Sequence, residues 1–145
     1  MNSSSVSLDN SLLFFSKSFF ELTKARLAIS VVFSSVVGYL LAVDSFDLYT
    51  LVLLSIGGYC MVGASNSFNQ IIEKDIDALM DRTKNRPIPA GRMSVTTAFI
   101  IATIFTLLGI IILYTINKQT AMFGAISIFL YTCVYTPLYT NVRIK

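Results

Sequence analysis

Asn69, Glu73, Asp77 and Asp81 recur every four residues in a 145-residue chain that is 54% hydrophobic and only 13% charged. On a helix of about 3.6 residues per turn, each step of four advances roughly 40°, so the four side chains share a face roughly 120° wide. Asn66 falls on that face too, whereas Ile72, Asp75 and Leu79 fall on roughly the opposite one. An amide and three carboxylates, in a chain without histidine and with no cysteine nearby, suit a hard divalent cation, Mg2+ first, rather than zinc or iron. Mg2+ is commonly held by one or two carboxylates and completes its octahedron with water and phosphate oxygens, so the stripe implies a phosphorylated ligand. Arg82, Lys84, Arg86 and Arg92 follow at once and could meet that ligand's remaining oxygens. An acidic pair four residues apart is by itself more often a solvated helix end, here with Glu73 and Asp77 paired to Lys74 and Arg82. The added amide, the run of cations and the position between two apolar segments reverse that balance.

The elements that must position these residues are membrane helices. A soluble domain carries about a quarter charged residues, and this chain carries 13% with a mean hydropathy of +0.71. Four apolar runs approach or reach the roughly 20 residues that cross a bilayer, at about 27–43, 48–68, 95–116 and 120–141. No alternating barrel pattern is present, and a lipid-embedded chain must satisfy its backbone internally, so the fold class is all-α, a polytopic membrane helical bundle. The acidic stripe ends the second span, and Pro87 and Pro89 keep the loop behind it from being helical. Asp44–Asp47 and Asn117–Gln119 are the short external turns.

Charge distribution sets the expected orientation. With the N-terminus in the cytoplasm, Lys17, Lys24, Arg26, Lys74, Arg82, Lys84, Arg86, Arg92, Arg143 and Lys145 all lie on the cytoplasmic side, and Lys118 alone lies outside. Both termini and the stripe are therefore expected at the cytoplasmic face of the inner membrane. The net charge of +3 is an orientation signal rather than a sign of nucleic acid. Residues 1–11 are Ser- and Asn-rich and read as disordered, without a signal peptide. Residues 12–24 read as an amphipathic helix in the interface, with Lys24 and Arg26 capping the first span. Cys60 and Cys133 read as buried, inert thiols, and Tyr131 and Tyr135 as interfacial anchors.

Asn69-x3-Glu73-x3-Asp77, followed by Met80-Asp-Arg-Thr-Lys-Asn-Arg-Pro-Ile-Pro-Ala-Gly91, resembles the first aspartate-rich motif of the UbiA superfamily of intramembrane prenyltransferases. Arg82-Thr-Lys-Asn-Arg-Pro87, Lys24-Ala-Arg26 and Tyr135-Thr-Pro-Leu138 are similar to its heme O synthase branch. The resemblance covers most of residues 20–138. It implies a bundle of about nine helices, each satisfying its own backbone, of which residues 12–145 would form the N-terminal half. It further implies Mg2+ held by Asn69, Glu73 and Asp77 with Asp81 assisting, and diphosphate oxygens met by Arg82, Lys84, Arg86, Lys24 and Arg26. Farnesyl diphosphate would be the donor and protoheme IX the acceptor, giving heme O.

Two departures carry information. Quinone-making members have Asn-Asp and two further aspartates where this chain has Asn69-Gln70 and Glu73, which makes a prenyltransferase for an aromatic quinone precursor the weaker alternative. Tyr139 stands where the heme branch has a basic residue, with Arg143 and Lys145 later. These 145 residues hold no second acidic motif, so the chain alone is expected not to turn over. A non-catalytic membrane fragment or small transporter subunit is the alternative from another class. Oligomeric state is left open.

Overall fold

The computed structural model describes the backbone of residues 3–144 and the side chains of residues 7–138, 141 and 142. The described residues form helices α1 (Ser3–Thr23), α2 (Ala25–Ala42), α3 (Leu48–Leu79), α4 (Val95–Ile116) and α5 (Lys118–Phe129). A π-helical segment (Leu130–Tyr135) follows, then α6 (Thr136–Ile144). Four stretches are long and apolar enough to cross a membrane: α2, α3, α4 and Lys118–Leu138.

Local chemistry sets the boundaries. Asp47 caps α3, its carboxylate accepting from the backbone N–H groups of Tyr49 and Thr50 at 3.2 and 3.1 Å. Ser94 caps α4 by accepting from Thr97 N–H at 3.1 Å, and Asn117 caps α5 by accepting from Thr120 N–H at 2.7 Å. Each satisfies a donor that the first helical turn leaves open. The break between α1 and α2 is different in kind: Lys24 holds φ 50° and ψ 57°, the left-handed region. Glycine usually fills such a helix-ending position, and a residue with a β-carbon costs about 1–2 kcal/mol more there.

Helix α3 is the axis of the bundle, packing most extensively on α4, then on α2, α1 and α5. Its 32 residues span roughly 48 Å at about 1.5 Å per residue, well beyond the ~30 Å hydrocarbon core. The surplus length carries the polar stripe. Helices α3 and α4 run antiparallel at close range: a β-carbon at Gly57 would meet Leu113 at 2.8 Å, and one at Gly63 would meet Phe105 at 3.0 Å. Small residues at such crossings let backbones approach where lipid offers no hydrophobic drive. The interior is accordingly small and polar, with Ala28, Ala64, Asn66, Ser67, Ala98 and Ala102 buried, while Phe33, Leu41 and Phe123 face outward.

Between α3 and α4, residues 80–93 form consecutive turns rather than helix, as Pro87 and Pro89 require. The Pro87 carbonyl accepts from the N–H groups of Arg92 and Met93, and Gly91 supplies the positive φ of 74°. Ile88 and Met93 pack with Leu22 and Ala98, which anchors the loop against α1.

Three expectations change. Residues 3–11, expected to be disordered, are the first turns of α1; extending a helix already nucleated by Leu12–Thr23 adds hydrogen bonds without a new nucleation cost. Residues 1 and 2 lie outside the described residues, as do Lys145 and the side chains of Tyr139 and Arg143. The fourth span is not one regular helix, because the π segment widens its register at 130–135. Cys133 sits on that segment and is exposed rather than buried, whereas Cys60 is buried on α3.

Candidate functional site

The last turns of α3 carry the site. Asn69, Glu73 and Asp77 are 4, 3 and 0% exposed, so the shared face points into protein, as their helical phase requires. Asp75, two residues from Asp77 and on the other side, is 87% exposed and pairs with Lys74 at 2.9 Å. Arg86 comes over the face from the loop, its Nη1 donating to Asp77 Oδ2 at 2.6 Å and standing 3.7 Å from Glu73 Oε2. The loop is held to the helix end by Thr83, whose hydroxyl donates to the Asp77 carbonyl at 3.0 Å. The second carboxylate oxygen of Asp77, Oδ1, is buried without a hydrogen-bond partner. A buried anionic oxygen in that state is costly until something cationic or protic meets it.

Asn69 is held from both ends. Its Nδ2 donates to Thr136 Oγ1 at 3.3 Å, and its Oδ1 accepts from Lys24 Nζ at 3.3 Å. The Thr136 hydroxyl gives its one proton to the Tyr131 carbonyl at 2.8 Å, a bond spanning five residues across the π segment. Towards Asn69 the hydroxyl can therefore only accept, so the amide must present its NH2 there and its oxygen to the acidic face. Thr136 is a site neighbour that helical phase on α3 alone could not reveal; its only sequence signal is its place in Tyr135-Thr-Pro-Leu138.

Lys24 reaches the face from the break between α1 and α2. Burial, and next the Arg86 charge, pull its ammonium below the ordinary lysine value, while Glu73 and Asp77 oppose that shift. Two cations thus stand over two carboxylates. Beside them opens a polar cavity of about 410 Å3 lined by Glu21, Lys24, Gln70, Arg82, Asn85, Arg86 and Pro87. Its cationic wall suits an anion, and Arg86 belongs to both cavity and stripe.

The structure leaves four expected residues outside this cluster. Helix α3 stops at Leu79, and Met80 is extended at φ −105° and ψ 128°, so the four-residue phase is lost before Asp81. Asp81 is 98% exposed and pairs with Lys84 at 2.7 Å, which takes both away from the buried face. Arg26 is exposed and lines a neighbouring, mostly apolar cavity with Lys17, Phe20 and Leu27, which shares Glu21 and Lys24 with the polar one. Arg92, whose guanidinium donates to Glu21 Oε2 at 2.6 Å and to the Asn85 carbonyl, braces the loop against α1.

Among the described residues no three His, Cys, Asp or Glu side chains cluster as a complete metal cage. Two carboxylates and an amide oxygen nevertheless fit a hard divalent cation that shares its shell with a phosphorylated ligand, and the unmet Asp77 Oδ1 is the atom such a cation would satisfy.

The model of the UbiA prenyltransferase family matches residues 31–144. A protoheme IX farnesyltransferase of Flavobacterium psychrophilum is 73% identical over 125 residues, 84% of this chain and 42% of the relative. One from Christiangramia forsetii is 69% identical over 123 residues, 85% of this chain and 41% of the relative. The human mitochondrial protoheme IX farnesyltransferase is 41% identical over 119 residues, 81% of this chain and 27% of the relative. The chain therefore spans less than half the length of these relatives. No solved structure matches it.

Proposed function

The chain belongs to the UbiA prenyltransferase family, and from that membership we propose that it supplies the first diphosphate-binding face of an intramembrane enzyme that moves a farnesyl group from farnesyl diphosphate to a vinyl group of protoheme IX, giving heme O. The observation that carries this reading is the buried set of Asn69, Glu73 and Asp77 under Arg86 and Lys24, the two cations that also line the adjoining cavity. The acceptor and the prenyl length are those in the names of the similar protoheme IX farnesyltransferases.

Asn69 Oδ1, Glu73 and Asp77 would hold Mg2+, which when bound neutralises charge on the departing diphosphate. Arg86, Arg82 and Lys24 take diphosphate oxygens, so that the allylic C1–O bond can break with its electron pair leaving on the diphosphate. Arg86 releases Asp77 as it does so, exchanging a carboxylate partner for a phosphate one. Apolar helix faces accept the isoprenoid tail. We place this face on the cytoplasmic side of the inner membrane, with both termini there, because ten cations flank that end of the helices and one flanks the other. The lipid bilayer is the surrounding partner, and no nucleic acid is involved.

Isothermal titration of the purified chain in detergent with farnesyl diphosphate tests the reading. Binding is expected with Mg2+ and lost with EDTA. Binding of equal strength in EDTA would remove the metal from the proposal, and no binding under either condition would favour a non-catalytic membrane protein.

A further inference from the structure

We propose that Asn66 and Gln70 are positioning residues: they clamp the open carbonyl end of α1 and so hold Lys24 in the left-handed break from which its ammonium reaches the diphosphate site. The inference rests on the diphosphate reading above and adds the device that delivers one of its cations.

Ending a helix leaves its last carbonyls without intrahelical donors. Here two amides of α3 meet the last three carbonyls of α1, of which that of Glu21 also accepts from Lys24 N–H at 3.2 Å. Gln70 Nε2 donates to the carbonyls of Glu21 and Leu22 at 3.1 and 2.9 Å, and Asn66 Nδ2 donates to the carbonyl of Thr23 at 3.0 Å. Both amides are buried, at 1 and 2% exposure, and so are Leu22 and Thr23. The next residue is Lys24, the one non-glycine residue with positive φ among the described residues. Its carbonyl then starts α2 by accepting from Ala28 N–H at 3.0 Å, while its Nζ turns back to Asn69 Oδ1. Asn66, Asn69 and Gln70 thus act from one helix on two consecutive features, the end of α1 and the side chain that follows it.

A lysine in a position that suits glycine is strain without local compensation, and strain of that kind is kept where the surrounding structure over-determines it. The three amide bonds are that over-determination. The chemistry also requires an amide at position 70: a carboxylate there would present only acceptors to two carbonyls. The remaining atom of the clamp, Gln70 Oε1, is buried with no hydrogen-bond partner, and Gln70 lines the same cavity as Lys24 and Arg86.

Titration of the whole chain with inorganic pyrophosphate at saturating Mg2+ tests this through Lys24→Met, Gln70→Met and the double variant. Each single change should weaken pyrophosphate about tenfold or more, the size of a lost charge-assisted hydrogen bond. The double variant should bind no more weakly than Lys24→Met, because Gln70 acts through Lys24. Gln70→Met lacks the donor without adding charge to the cavity, and Gln70→Leu serves if it does not fold. Lys24→Gly separates the role from folding: it relieves the left-handed strain, so thermal stability should hold or rise while pyrophosphate affinity falls. Additive losses in the double variant, or full affinity in either Gln70 variant while Lys24→Met is weakened, would overturn the clamp. Full affinity in Lys24→Met together with loss in Arg86→Met would overturn it and leave the diphosphate reading standing. No pyrophosphate binding by the unaltered chain would remove both.

Discussion

Asp75 and Asp77 lie two residues apart on one helix and meet opposite environments. Asp77 is fully buried against Arg86, whereas Asp75 is 87% exposed beside Lys74. Asp77→Asn should therefore weaken Mg2+-dependent farnesyl diphosphate binding by more than about tenfold, the scale of a disturbed metal site. Asp75→Asn removes the same charge and should cost little; equal losses in matched titrations would show that helical phase does not define the site. A second expectation at this scale concerns pH. The Lys24 ammonium is charged below its pKa, and burial, followed by Arg86, lowers that pKa from 10.5. Pyrophosphate affinity should be present at neutral pH and decline as pH rises through a value below 10.5, a decline that Lys24→Arg should push to higher pH because guanidinium stays protonated. A pH profile unchanged by Lys24→Arg would exclude the lysine as its source.

The π segment is the element whose irregularity has a chemical use. Widening the turn lets the Thr136 hydroxyl reach the Tyr131 carbonyl at 2.8 Å and stacks the Tyr131 and Tyr135 rings with centroids 5.2 Å apart. Insertions of this kind recur at functional sites. Here it turns a hydroxyl lone pair towards Asn69 and so sets the amide's orientation. Thr136→Val keeps the shape and removes the acceptor, leaving a buried amide NH2 unmet at about 1–3 kcal/mol. The variant should lose about that much stability and bind less tightly in the Mg2+ titration, and Thr136→Ser should restore most of both. If valine and serine behave alike in the Mg2+ titration, the hydroxyl has no part in orienting Asn69.

At the scale of the molecule, antiparallel packing puts the turn at Ser45 and the start of α5 at one end of the bundle and the acidic face at the other. Gly57 opposes Leu113 near the first end, and Phe68 meets Phe99 at a ring separation of 6.0 Å towards the second. Ser45 and Gln119 are both exposed. Single cysteines at these positions should react with a membrane-impermeant thiol reagent added outside intact cells. Reaction only after the cytoplasmic side is opened would invert the orientation and move the site to the opposite face.

Much of this was written in the chain itself. Span positions followed from uncharged length, because lipid leaves a backbone no other way to satisfy its polar groups. Helical phase grouped Asn69, Glu73 and Asp77 and sent Asp75 away, since side-chain direction within a regular helix depends on sequence separation alone. Tertiary structure decided where that regularity stopped. Helix α3 ends at Leu79, so Asp81 and Lys84 pair in the open, although their spacing continues the pattern. It also decided which cations arrive. Arg86 and Lys24 belong to a loop and a helix break, whose paths depend on how the proline-rich turns seat against α1 and on three carbonyls taken by Asn66 and Gln70. Spacing along one helix carries no information about a partner 45 or 67 residues away, which is how far Lys24 and Thr136 lie from Asn69.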